Sequence, residues 1–394
     1  MFIDHAQLLA GSYSVTECVF NLEQAEDYQT ANELHNLDVA GGGGPLAKIR
    51  NFVVRCARLR VYKQKRQVVV AISHLEGADY VNILSGVGEQ QVLCVHGSKL
   101  HDRNMSGMMG WFRRRVLIPL LYRRATRIVT VSAGIRAELV HELGLSAGKV
   151  RVINNFFDDE AVKQQAAVVP PAPYAEMLAA YPALATAGRF APEKNLVALL
   201  EVFAQVRERV PACKLLLLGQ GEQFPVLLAR CQVLGLSVYL PEMPASECPA
   251  AAVVFTGFQS NPHSFVARAT VFVLPSLNEG FPMALGEAMI CGRPVVASDC
   301  PTGPREILAP SAPVPAQALQ VAELGEFGWL LPVMSNPATR TADERIWVDT
   351  LTQLLLNAAE RTRLGQLAQS RMQDFTRERI AGQWLELIEE VRCG

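Results

Sequence analysis

The stretch Leu274–Met289 constrains this chain of 394 residues more than any other part of it. It joins a β-branched strand to a turn with Glu279 and Gly280, and then to a helix that opens at Pro282 and is apolar except for Glu287. A helix that starts after a strand and a glycine presents free N–H groups and a positive dipole end, which suit a phosphate. Carboxylates repel phosphate but accept hydrogen bonds from hydroxyls. The stretch therefore predicts a diphosphate flanked by hydroxyl groups, as in a sugar nucleotide.

A structural interpretation of the two acids stays open at this point. Glu287 would then be an ion-paired core residue and Glu279 an ordinary loop acid. A buried and uncompensated glutamate is costly, so Glu287 needs a partner in either case.

The hydrophobic patterning predicts an α/β chain with two doubly wound parallel sheets. Half of the residues are hydrophobic, and short β-branched runs alternate with helical patterns. Such sheets bind ligands at the carboxyl ends of their strands. The predicted strands are Val15–Phe20, Val68–Ser73, Val92–Gly97, Arg127–Ser132, Arg151–Asn154, Ala183–Ala187, Lys214–Gly219, Val253–Gly257, Ala269–Pro275 and Pro294–Ser298.

The domain boundary is predicted near Asp158, where an Ala/Pro-rich segment, Ala166–Pro182, follows. This gives an N-terminal domain of residues 1–157, a C-terminal domain of residues 158–374 and an amphipathic helix over 375–394. The helix is expected to return to the N-terminal domain. Two further Pro/Ala-rich pieces, Pro241–Ala252 and Ala309–Ala316, are interpreted as surface insertions.

The charge distribution and the cysteines indicate what the chain faces and in which compartment it works. Residues 1–157 hold 19 Lys/Arg and 13 Asp/Glu, whereas the remainder holds 18 and 25, so the first half is expected to face something anionic. Nine dispersed cysteines without a Cys-x-x-Cys pair favour a reducing cytoplasm and disfavour disulfides and a zinc site. No apolar run is long enough to span a membrane, and the start lacks a secretory signal pattern.

Five short motifs occur in order in the second half. They are Gly188-Arg-Phe-Ala-Pro-Glu-Lys-Asn195, Gly219-Gln-Gly221, Phe255-Thr-Gly257, Glu279-x7-Glu287 and Thr302-Gly-Pro-Arg-Glu306. Together they resemble the retaining GT-B glycosyltransferases of family 4, strongly over residues 180–310 and more loosely over 68–160 and the terminal helix. The resemblance implies two Rossmann-like domains facing a cleft, and a nucleotide-diphosphate sugar as donor.

The resemblance also implies roles for residues of the second half. Arg189 and Lys194 correspond to the pair that grips the diphosphate, although both are also compatible with ordinary surface charges. Glu279 corresponds to the acid that bonds the donor-sugar hydroxyls, and Glu287 to the ribose-binding acid. Glu306 is given only a structural role. The expected backbone contacts to the donor come from Gly188, Gly219, Gly221, Gly280, Phe281, Pro282 and Met283.

In the first half, His96 ends a predicted strand and resembles the family's histidine that faces the donor sugar. His74, also just past a strand, is a weaker candidate for the acceptor side. No Asp-x-Asp or other metal-ligand cluster is present in the sequence, so no metal or other cofactor is expected. The resemblance implies retention of anomeric configuration by front-face attack, since no side chain suggests itself as a covalent nucleophile.

A basic stripe with aromatic residues lies between residues 105 and 124. This pattern suits an anionic membrane surface, and the basic helix Lys48–Arg66 adds to it, but a solvated helix face is an equally open interpretation. Nucleic acid is a less favoured partner for the stripe, since no recognised nucleic-acid-binding motif accompanies the charge. The stripe's candidate residues for the acceptor or membrane are Trp111, Arg113, Arg114, Arg115, Arg123 and Arg124.

The start departs from the family pattern, which opens with a strand and a glycine-rich loop. Here His5–Ala10 corresponds to the end of the helix after that loop, and Gly41–Gly44 falls too late to replace it. The prediction is a retaining, metal-independent glycosyltransferase of bacterial polysaccharide or lipopolysaccharide assembly, cytoplasmic or peripheral on the inner membrane face, with a glycan or lipid-linked acceptor. The alternative is a non-catalytic nucleotide-sugar-binding partner subunit.

Overall fold

The computed structural model of the chain describes residues 2–22, 30–100, 107–315 and 317–393. It divides into two compact units, one of Met1–Phe156 with Arg377–Gly394 and one of Phe157–Thr376. Both are α/β with parallel sheets, so the predicted fold class is confirmed.

Unit 1 contains two separate parallel sheets. The first pairs β1 with β2, and the second has the order β3-β4-β5-β6. The strands are β1 Thr16–Val19, β2 Glu33–Asn36, β3 Val70–His74, β4 Gln90–Val95, β5 Arg127–Thr130 and β6 Val150–Val152. The helices are α1 Phe2–Ala10, α2 Pro45–Arg66, α3 Glu76–Leu84, α4 Gly107–Phe112, α5 Ile118–Tyr122 and α6 Ala133–Ala137, with π-helical turns at Arg113–Leu117 and Glu138–Glu142 and a 3-10 turn at Ala147–Lys149.

Unit 2 is built on one eight-stranded sheet of order β13-β14-β12-β11-β7-β8-β10-β9. Its strands are β7 Ala183–Ala187, β8 Lys214–Leu218, β9 Val238–Tyr239, β10 Val253–Phe255, β11 Val271–Leu274, β12 Val295–Ser298, β13 Glu323–Leu324 and β14 Trp329–Leu331. Its helices are α7 Asp159–Ala167, α8 Tyr174–Ala180, α9 Leu196–Arg209, α10 Phe224–Val233, α11 His263–Val266, α12 Met283–Ile290, α13 Pro304–Leu308, α14 Arg340–Leu356 and α15 Ala358–Arg371, with 3-10 turns at Pro192–Lys194, Ala245–Ala250 and Met372–Phe375.

The long final helix, α16 Arg377–Cys393, packs within unit 1. Its apolar side, with Ile380, Trp384 and Leu387, joins Val92 and Cys94 of β4 in one buried cluster. The residues of α16 recur at helical spacing and those of β4 alternate, so each element buries one face against the other.

The structure adds detail to the predicted elements. Ile49 and Val53 of α2 are 63% and 59% exposed, so this helix leaves apolar side chains uncovered. Pro241–Ala252 lies mostly at the surface, as predicted, but Cys248 is fully buried and Lys214 Nζ donates to Pro249 O at 2.6 Å. Ala166–Pro182 contains α8, which was not predicted. The strands β2, β9, β13 and β14, of two to four residues each, were not predicted.

The strand order of unit 2 places a crevice between β7 and β11. From β7 the sheet extends through β8 in one direction, and through β11 and β12 in the other. Such a reversal opens a gap at the carboxyl ends of the two central strands, where α/β sheets bind ligands. The loop after β7 holds Arg189 and Lys194, and the loop after β11 holds Glu279. The predicted site residues of the second half therefore meet at this switch point.

Helix α12 is held tightly against an aromatic cluster of Phe157, Phe281 and Phe375, whose ring centroids lie 5.3 to 6.5 Å apart. A Cβ added at Gly286 would lie 2.6 Å from Phe157 Cε1 and 2.9 Å from Met372 Cε. Only glycine allows this approach, because the phenyl ring is buried and has no room to move.

We predict opposite effects of two glycine-to-alanine substitutions. Gly286→Ala is expected to destabilise the protein by about 1–3 kcal/mol through overpacking. Gly382→Ala, at an exposed position of α16 where an added Cβ meets nothing within 4 Å, is expected to stabilise it by about 0.5–1 kcal/mol. Denaturant unfolding of both variants checks this. Equal stability of Gly286→Ala and the parent would contradict the packing described for α12.

Candidate active site

The centre of the site in unit 2 is an ion pair between two loops. Lys194 Nζ lies 2.7 Å from Glu279 Oε1, and the two side chains are 27% and 9% exposed. Ser276 Oγ donates to the same carboxylate oxygen at 2.6 Å, and Leu277 N–H donates to Glu193 O at 2.8 Å. The loops after β7 and β11 are therefore fixed to one another by side-chain and backbone bonds.

The start of α12 offers unpaired backbone donors beside this ion pair. The helix begins at Met283 with Pro282 as its N-cap, one residue later than predicted, and Pro282 has no N–H to offer. In the described part of the chain no acceptor is found for the N–H groups of Gly280, Phe281, Met283 and Ala284. These groups and the helix dipole create a positive potential that suits an anion.

The Thr302–Glu306 motif packs against the loop that leads into α12. Thr302 Oγ1 donates to the carbonyl oxygen of Glu279. Gly303 has φ +94°, and an added Cβ there would lie 2.6 Å from Pro282 Cδ. Arg305 bonds Asp299 Oδ2 at 2.7 Å. This motif fixes the loop that carries Glu279.

Arg189 extends from the loop after β7 into solvent. Its side chain is 65% exposed and pairs with Glu193 Oε1 at 2.7 Å. The hydrogen bond that Arg189 donates to the Glu193 carboxylate is the largest cause that raises the pKa of Arg189. Arg189, Lys194 and Ser276 border one shallow depression at the ends of β7, β8 and β11. The two predicted cations are thus brought together, and each is balanced by a protein carboxylate.

The glycines that were predicted to contact the donor are required by packing within the protein itself. A Cβ added at Gly219 would lie 3.0 Å from Gly188 C, and one at Gly221 would lie 2.5 Å from Phe190 O. Phe190 N–H donates to Gln220 O at 2.9 Å. These glycines let the loops after β7 and β8 pack against each other. Their contact with a nucleotide stays a prediction.

Glu287 lies in α12 opposite a histidine that was not predicted. Its Oε2 is 3.3 Å from His263 Nε2 in α11, and His263 Nδ1 lies 2.7 Å from Gln165 Oε1. The Glu287 side chain is 30% exposed, so it is not a deeply buried core acid. It can accept hydrogen bonds from a ligand, since His263 Nε2 approaches it without forming a hydrogen bond. Only spatial proximity, not sequence spacing, links the two.

Phe258 is a second residue that sequence reasoning missed. It is 72% exposed and follows Gly257, whose carbonyl accepts from Gly219 N–H at 3.0 Å. An exposed phenyl ring at the carboxyl edge of the sheet can stack on a planar ligand. In the sequence, only its position directly after the Phe255-Thr-Gly257 motif could have indicated it.

In unit 1 the two candidate histidines form a pair. His74 Nδ1 lies 2.8 Å from His96 Nε2, and the rings stack with centroids 5.1 Å apart. Burial, with a contribution from Lys99, lowers the pKa of His96 to about 4. His96 is therefore neutral at pH 7, and one ring nitrogen of the pair donates to the other. The parallel pairing of β3 and β4 brings them together, because His74 lies opposite Cys94.

A buried carboxylate of unit 1 was also not predicted. Asp79 is fully buried, and it accepts hydrogen bonds from Ser73 Oγ and Tyr122 OH, each at 2.7 Å. Burial raises the pKa of Asp79 to about 7, although both hydrogen bonds act in the opposite direction. Asp79 therefore titrates near neutral pH.

The basic stripe forms one continuous helical segment over residues 107–122, which we call the stripe helix. Its exposed apolar residues include Met108 at 87%, Met109 at 72% and Trp111 at 54%. Arg113 Nη2 pairs with Glu76 Oε1 at 2.6 Å, so a protein carboxylate already balances this arginine, and its contact with an acceptor or membrane stays a prediction. The remaining arginines of the stripe are half-buried or exposed: Arg114, Arg115, Arg123 and Arg124.

The described part of the chain contains neither a candidate membrane-spanning helix nor a candidate metal site. Across residues 2–22, 30–100, 107–315 and 317–393, no helix is both long and apolar enough to cross a bilayer. Over those same ranges, no three His, Cys, Asp or Glu side chains cluster so as to hold a metal ion.

Both halves of the chain match families of glycosyltransferases. Residues 181–323 match the family described as glycosyl transferases group 1. Residues 13–161 match the one described as glycosyltransferase family 4. The two matched regions lie in unit 2 and unit 1.

Individual relatives agree with this assignment. An uncharacterized glycosyltransferase of Methanocaldococcus jannaschii is 30% identical over 51% of this chain and 48% of its own length. N-acetylgalactosamine-N,N'-diacetylbacillosaminyl-diphospho-undecaprenol 4-alpha-N-acetylgalactosaminyltransferase of Campylobacter jejuni is 28% identical over 49% of this chain and 47% of its own. The chain thus spans about half the length of the curated relatives it matches. Anabaena HepE, solved with UDP and glucose, shares the fold with a TM-score of 0.70 at 16% identity, over 98% of this chain and 94% of its own.

The shifted pKa of Asp79 predicts a pH dependence of stability. The folded state binds a proton with a pKa of about 7, whereas an unfolded aspartate has a pKa of about 3.9. The folded state therefore holds more protons between these values, and the free energy of unfolding falls as pH rises from 4 to 7. Asp79→Asn is expected to flatten this slope, as measured by urea unfolding across that range. An unchanged slope would show that Asp79 is not the titrating group.

Proposed function

We propose that this chain, which carries the two domains of a GT-B glycosyltransferase, moves a sugar from a nucleotide-diphosphate donor to a glycan or lipid-linked acceptor. The transfer retains the anomeric configuration and needs no metal, as in the family 4 enzymes that the motifs resemble. Unit 2 binds the donor, and unit 1 serves the acceptor. A role for His96 beside the donor sugar rests on the resemblance alone.

One observation carries the proposal: the unpaired N–H groups at the start of α12 lie beside the Lys194–Glu279 pair. A diphosphate at this position would accept hydrogen bonds from backbone donors that are already oriented, with a cation at their side. Glu279, next to the anion, would accept hydrogen bonds from sugar hydroxyls. This combination of donors and one acceptor matches a sugar joined to a phosphate.

The same groups support the chemical step. The bond between the anomeric carbon and the β-phosphate oxygen breaks, and the acceptor oxygen forms the new bond from the same face. The acceptor proton passes to the leaving phosphate oxygen. Negative charge grows on that oxygen in the transition state, where Lys194, Arg189 and the amides of α12 stabilise it.

The nucleoside end is expected to lie between Glu287 and Phe258. Glu287, whose Oε2 lies 3.3 Å from His263 Nε2, would accept hydrogen bonds from the ribose hydroxyls. The exposed ring of Phe258 would stack on the base. Both residues belong to loops or helices at the carboxyl edge of the unit 2 sheet, as does Glu279. HepE binds UDP and glucose, which supports a nucleotide-sugar donor of this kind.

An acceptor at a membrane is favoured by the stripe helix of unit 1. Met108, Met109 and Trp111 are exposed together with Arg115, so apolar and cationic groups share one short helix. Apolar side chains that insert between lipids and arginines that meet anionic headgroups would bind such a surface. The Campylobacter relative's name describes a diphospho-undecaprenol acceptor, which supports a lipid-linked acceptor here. A role in bacterial polysaccharide or lipopolysaccharide assembly follows from it.

We predict that Arg189→Ala and Glu279→Ala each lower transfer by about 100-fold or more, in the range seen when one transition-state donor is removed. The donor is first identified by testing UDP-, GDP- and ADP-sugars with the parent protein. Turnover is then measured by release of the nucleoside diphosphate. Arg209→Ala is the matched control, because this exposed arginine pairs with Asp349 on the surface of unit 2. Near-normal rates in either site variant would contradict the assignment.

Binding measurements separate an enzyme from a non-catalytic binder. Binding is measured by calorimetry. Phe258→Ala is expected to weaken binding of the nucleoside diphosphate. Glu279→Ala is expected to weaken binding of the sugar nucleotide more than binding of the nucleoside diphosphate. Tight donor binding without turnover on any acceptor would favour the partner-subunit alternative. Equal nucleoside diphosphate affinity of Phe258→Ala and the parent would remove Phe258 from the site.

We also predict that the protein sediments with phosphatidylglycerol vesicles and not with phosphatidylcholine vesicles. The triple variant Met108→Ser, Met109→Ser, Trp111→Ser is expected to lower the bound fraction about tenfold, because it removes the inserting side chains. Val233→Ser, at a 72% exposed position of unit 2, is the control. Equal binding of the triple variant and the parent would exclude the stripe helix as the lipid surface.

A further inference from the structure

Leu75 of unit 1 has a backbone conformation that a leucine rarely adopts. It lies between β3 and α3, and its φ of 73° and ψ of 144° are close to a region that is almost exclusive to glycine. Leu75 is the N-cap of α3, but its side chain makes no capping hydrogen bond. Because glycine reaches this conformation without a steric penalty, the leucine side chain lowers the stability of the turn.

The turn around Leu75 is held in place from both sides. On the strand side, His74 Nδ1 lies 2.8 Å from His96 Nε2, just past the end of β4. On the helix side, Ser73 Oγ donates to Asp79 Oδ1 at 2.7 Å, which ties the end of β3 to the first turn of α3. Strained conformations persist where the surrounding structure fixes them in this way, and they cluster at ligand-binding sites.

Glu76, the residue after Leu75, is also fixed by several neighbours. Its Oε1 accepts hydrogen bonds from Tyr80 OH at 2.5 Å and from Arg113 Nη2 at 2.6 Å. Lys99 Nζ lies 3.4 Å from its Oε2, and only 10% of the Glu76 side chain is exposed. The start of α3 therefore cannot shift easily to relieve the strain at Leu75.

The side chain of Leu75 lies in solvent, where it is 69% exposed. Single exposed apolar residues are common, so exposure alone does not indicate a site. Here, however, the leucine strains the turn and gains little burial in return. Contacts with the described residues therefore do not explain why the turn carries a leucine, whereas a ligand that covers the side chain would.

The space next to Leu75 is open at the carboxyl edge of the unit 1 sheet. Strands β3 and β4 are parallel neighbours, so Leu75 and His96 both follow strand ends at the edge where α/β sheets bind ligands. A Cβ added at Gly77 or at Gly97 would meet no described atom within 4 Å. The two strand ends therefore leave room for a ligand beside Leu75 and the His74–His96 pair.

We infer that Leu75 packs against the C–H face of the acceptor's terminal sugar, the sugar that carries the attacking hydroxyl. This inference rests on the proposed function, in which unit 1 serves the acceptor and His96 lies beside the donor sugar. One face of a pyranose ring is made largely of C–H groups, and its burial against an aliphatic side chain removes apolar surface from water. Leu75 is thereby a specificity-determining residue for the acceptor.

The position of Leu75 favours a sugar over a lipid chain. A lipid chain would also cover an exposed leucine. Leu75, however, directly follows His74, whose ring contacts His96. The reacting end of the acceptor must come to His96 if that residue lies beside the donor sugar, and the reacting end is a sugar.

The test measures the acceptor KM of Leu75→Gly with the donor that the parent turns over. The acceptor probes are methyl and octyl glycosides of glucose, galactose, N-acetylglucosamine and N-acetylgalactosamine. We expect the acceptor KM to rise about fivefold or more for methyl and octyl glycosides alike, because an apolar contact is lost. The donor KM and the kcat at saturating acceptor should stay within about twofold of the parent, since the contact is the same in the ground state and the transition state.

Stability measurements separate this contact from a structural role. Leu75→Gly relieves the strained turn and should not lower the urea midpoint of unfolding, whereas Leu84→Gly should lower it. Leu84, the last residue of α3 and 40% exposed, is the matched control, and Leu84→Gly should keep the parent acceptor KM. Leu75→Met should restore most of the parent acceptor KM. Leu75→Asn, which tolerates positive φ but is polar, should behave like Leu75→Gly.

Three results would overturn the inference alone. They are a parent-like acceptor KM in Leu75→Gly or Leu75→Asn, a rise confined to the octyl glycosides, which would indicate a lipid contact, and a lowered urea midpoint in Leu75→Gly, which would show that the turn is not strained. A parent protein that transfers sugar to none of the glycosides would contradict the proposed function and, with it, this inference.

Discussion

The site of unit 2 depends on the ion pair between Lys194 and Glu279. It joins residues 85 positions apart in the chain, and it forms because β7 and β11 are neighbours in the sheet. Lys194 lies just ahead of α9 and Glu279 just ahead of α12, so each is placed by a loop at a strand's carboxyl end. Removing either partner would leave the other charge partly desolvated and unpaired. The pair therefore fixes the geometry in which the amides of α12 point at a shared space.

Close packing of backbone holds this geometry in place. Gly219 and Gly221 let the loops after β7 and β8 touch, and Gly303 lets the turn before α13 touch Pro282. Gly286 lets α12 sit against Phe157. Glycine at these positions allows contacts inside the protein, and these contacts keep the N–H groups at the start of α12 oriented. Preorganised donors stabilise developing charge better than mobile ones, because no rearrangement opposes them.

The sequence was sufficient for the fold class and for the strands that run as apolar β-branched segments, such as Ala183–Ala187. It also placed the candidate site residues of unit 2 at strand ends. It could not reveal pairs formed by distant residues, such as His263 with Glu287 or Arg113 with Glu76, because spacing carries no information on them. The short strands β9 and β13 have only two residues each, which is too few to show the two-residue hydrophobic alternation of a strand. The helical spacing of Ile49 and Val53 is confirmed, but it could not reveal their exposure, because spacing predicts an apolar face and not what covers it.

The most direct test of the account is a crystal structure of the full chain with a bound nucleoside diphosphate. The account predicts β-phosphate oxygens within about 3.2 Å of the N–H groups at the start of α12 and of Lys194 Nζ, since these are hydrogen-bond distances. A diphosphate bound elsewhere at full occupancy, with the start of α12 empty and the Lys194–Glu279 pair undisturbed, would contradict it.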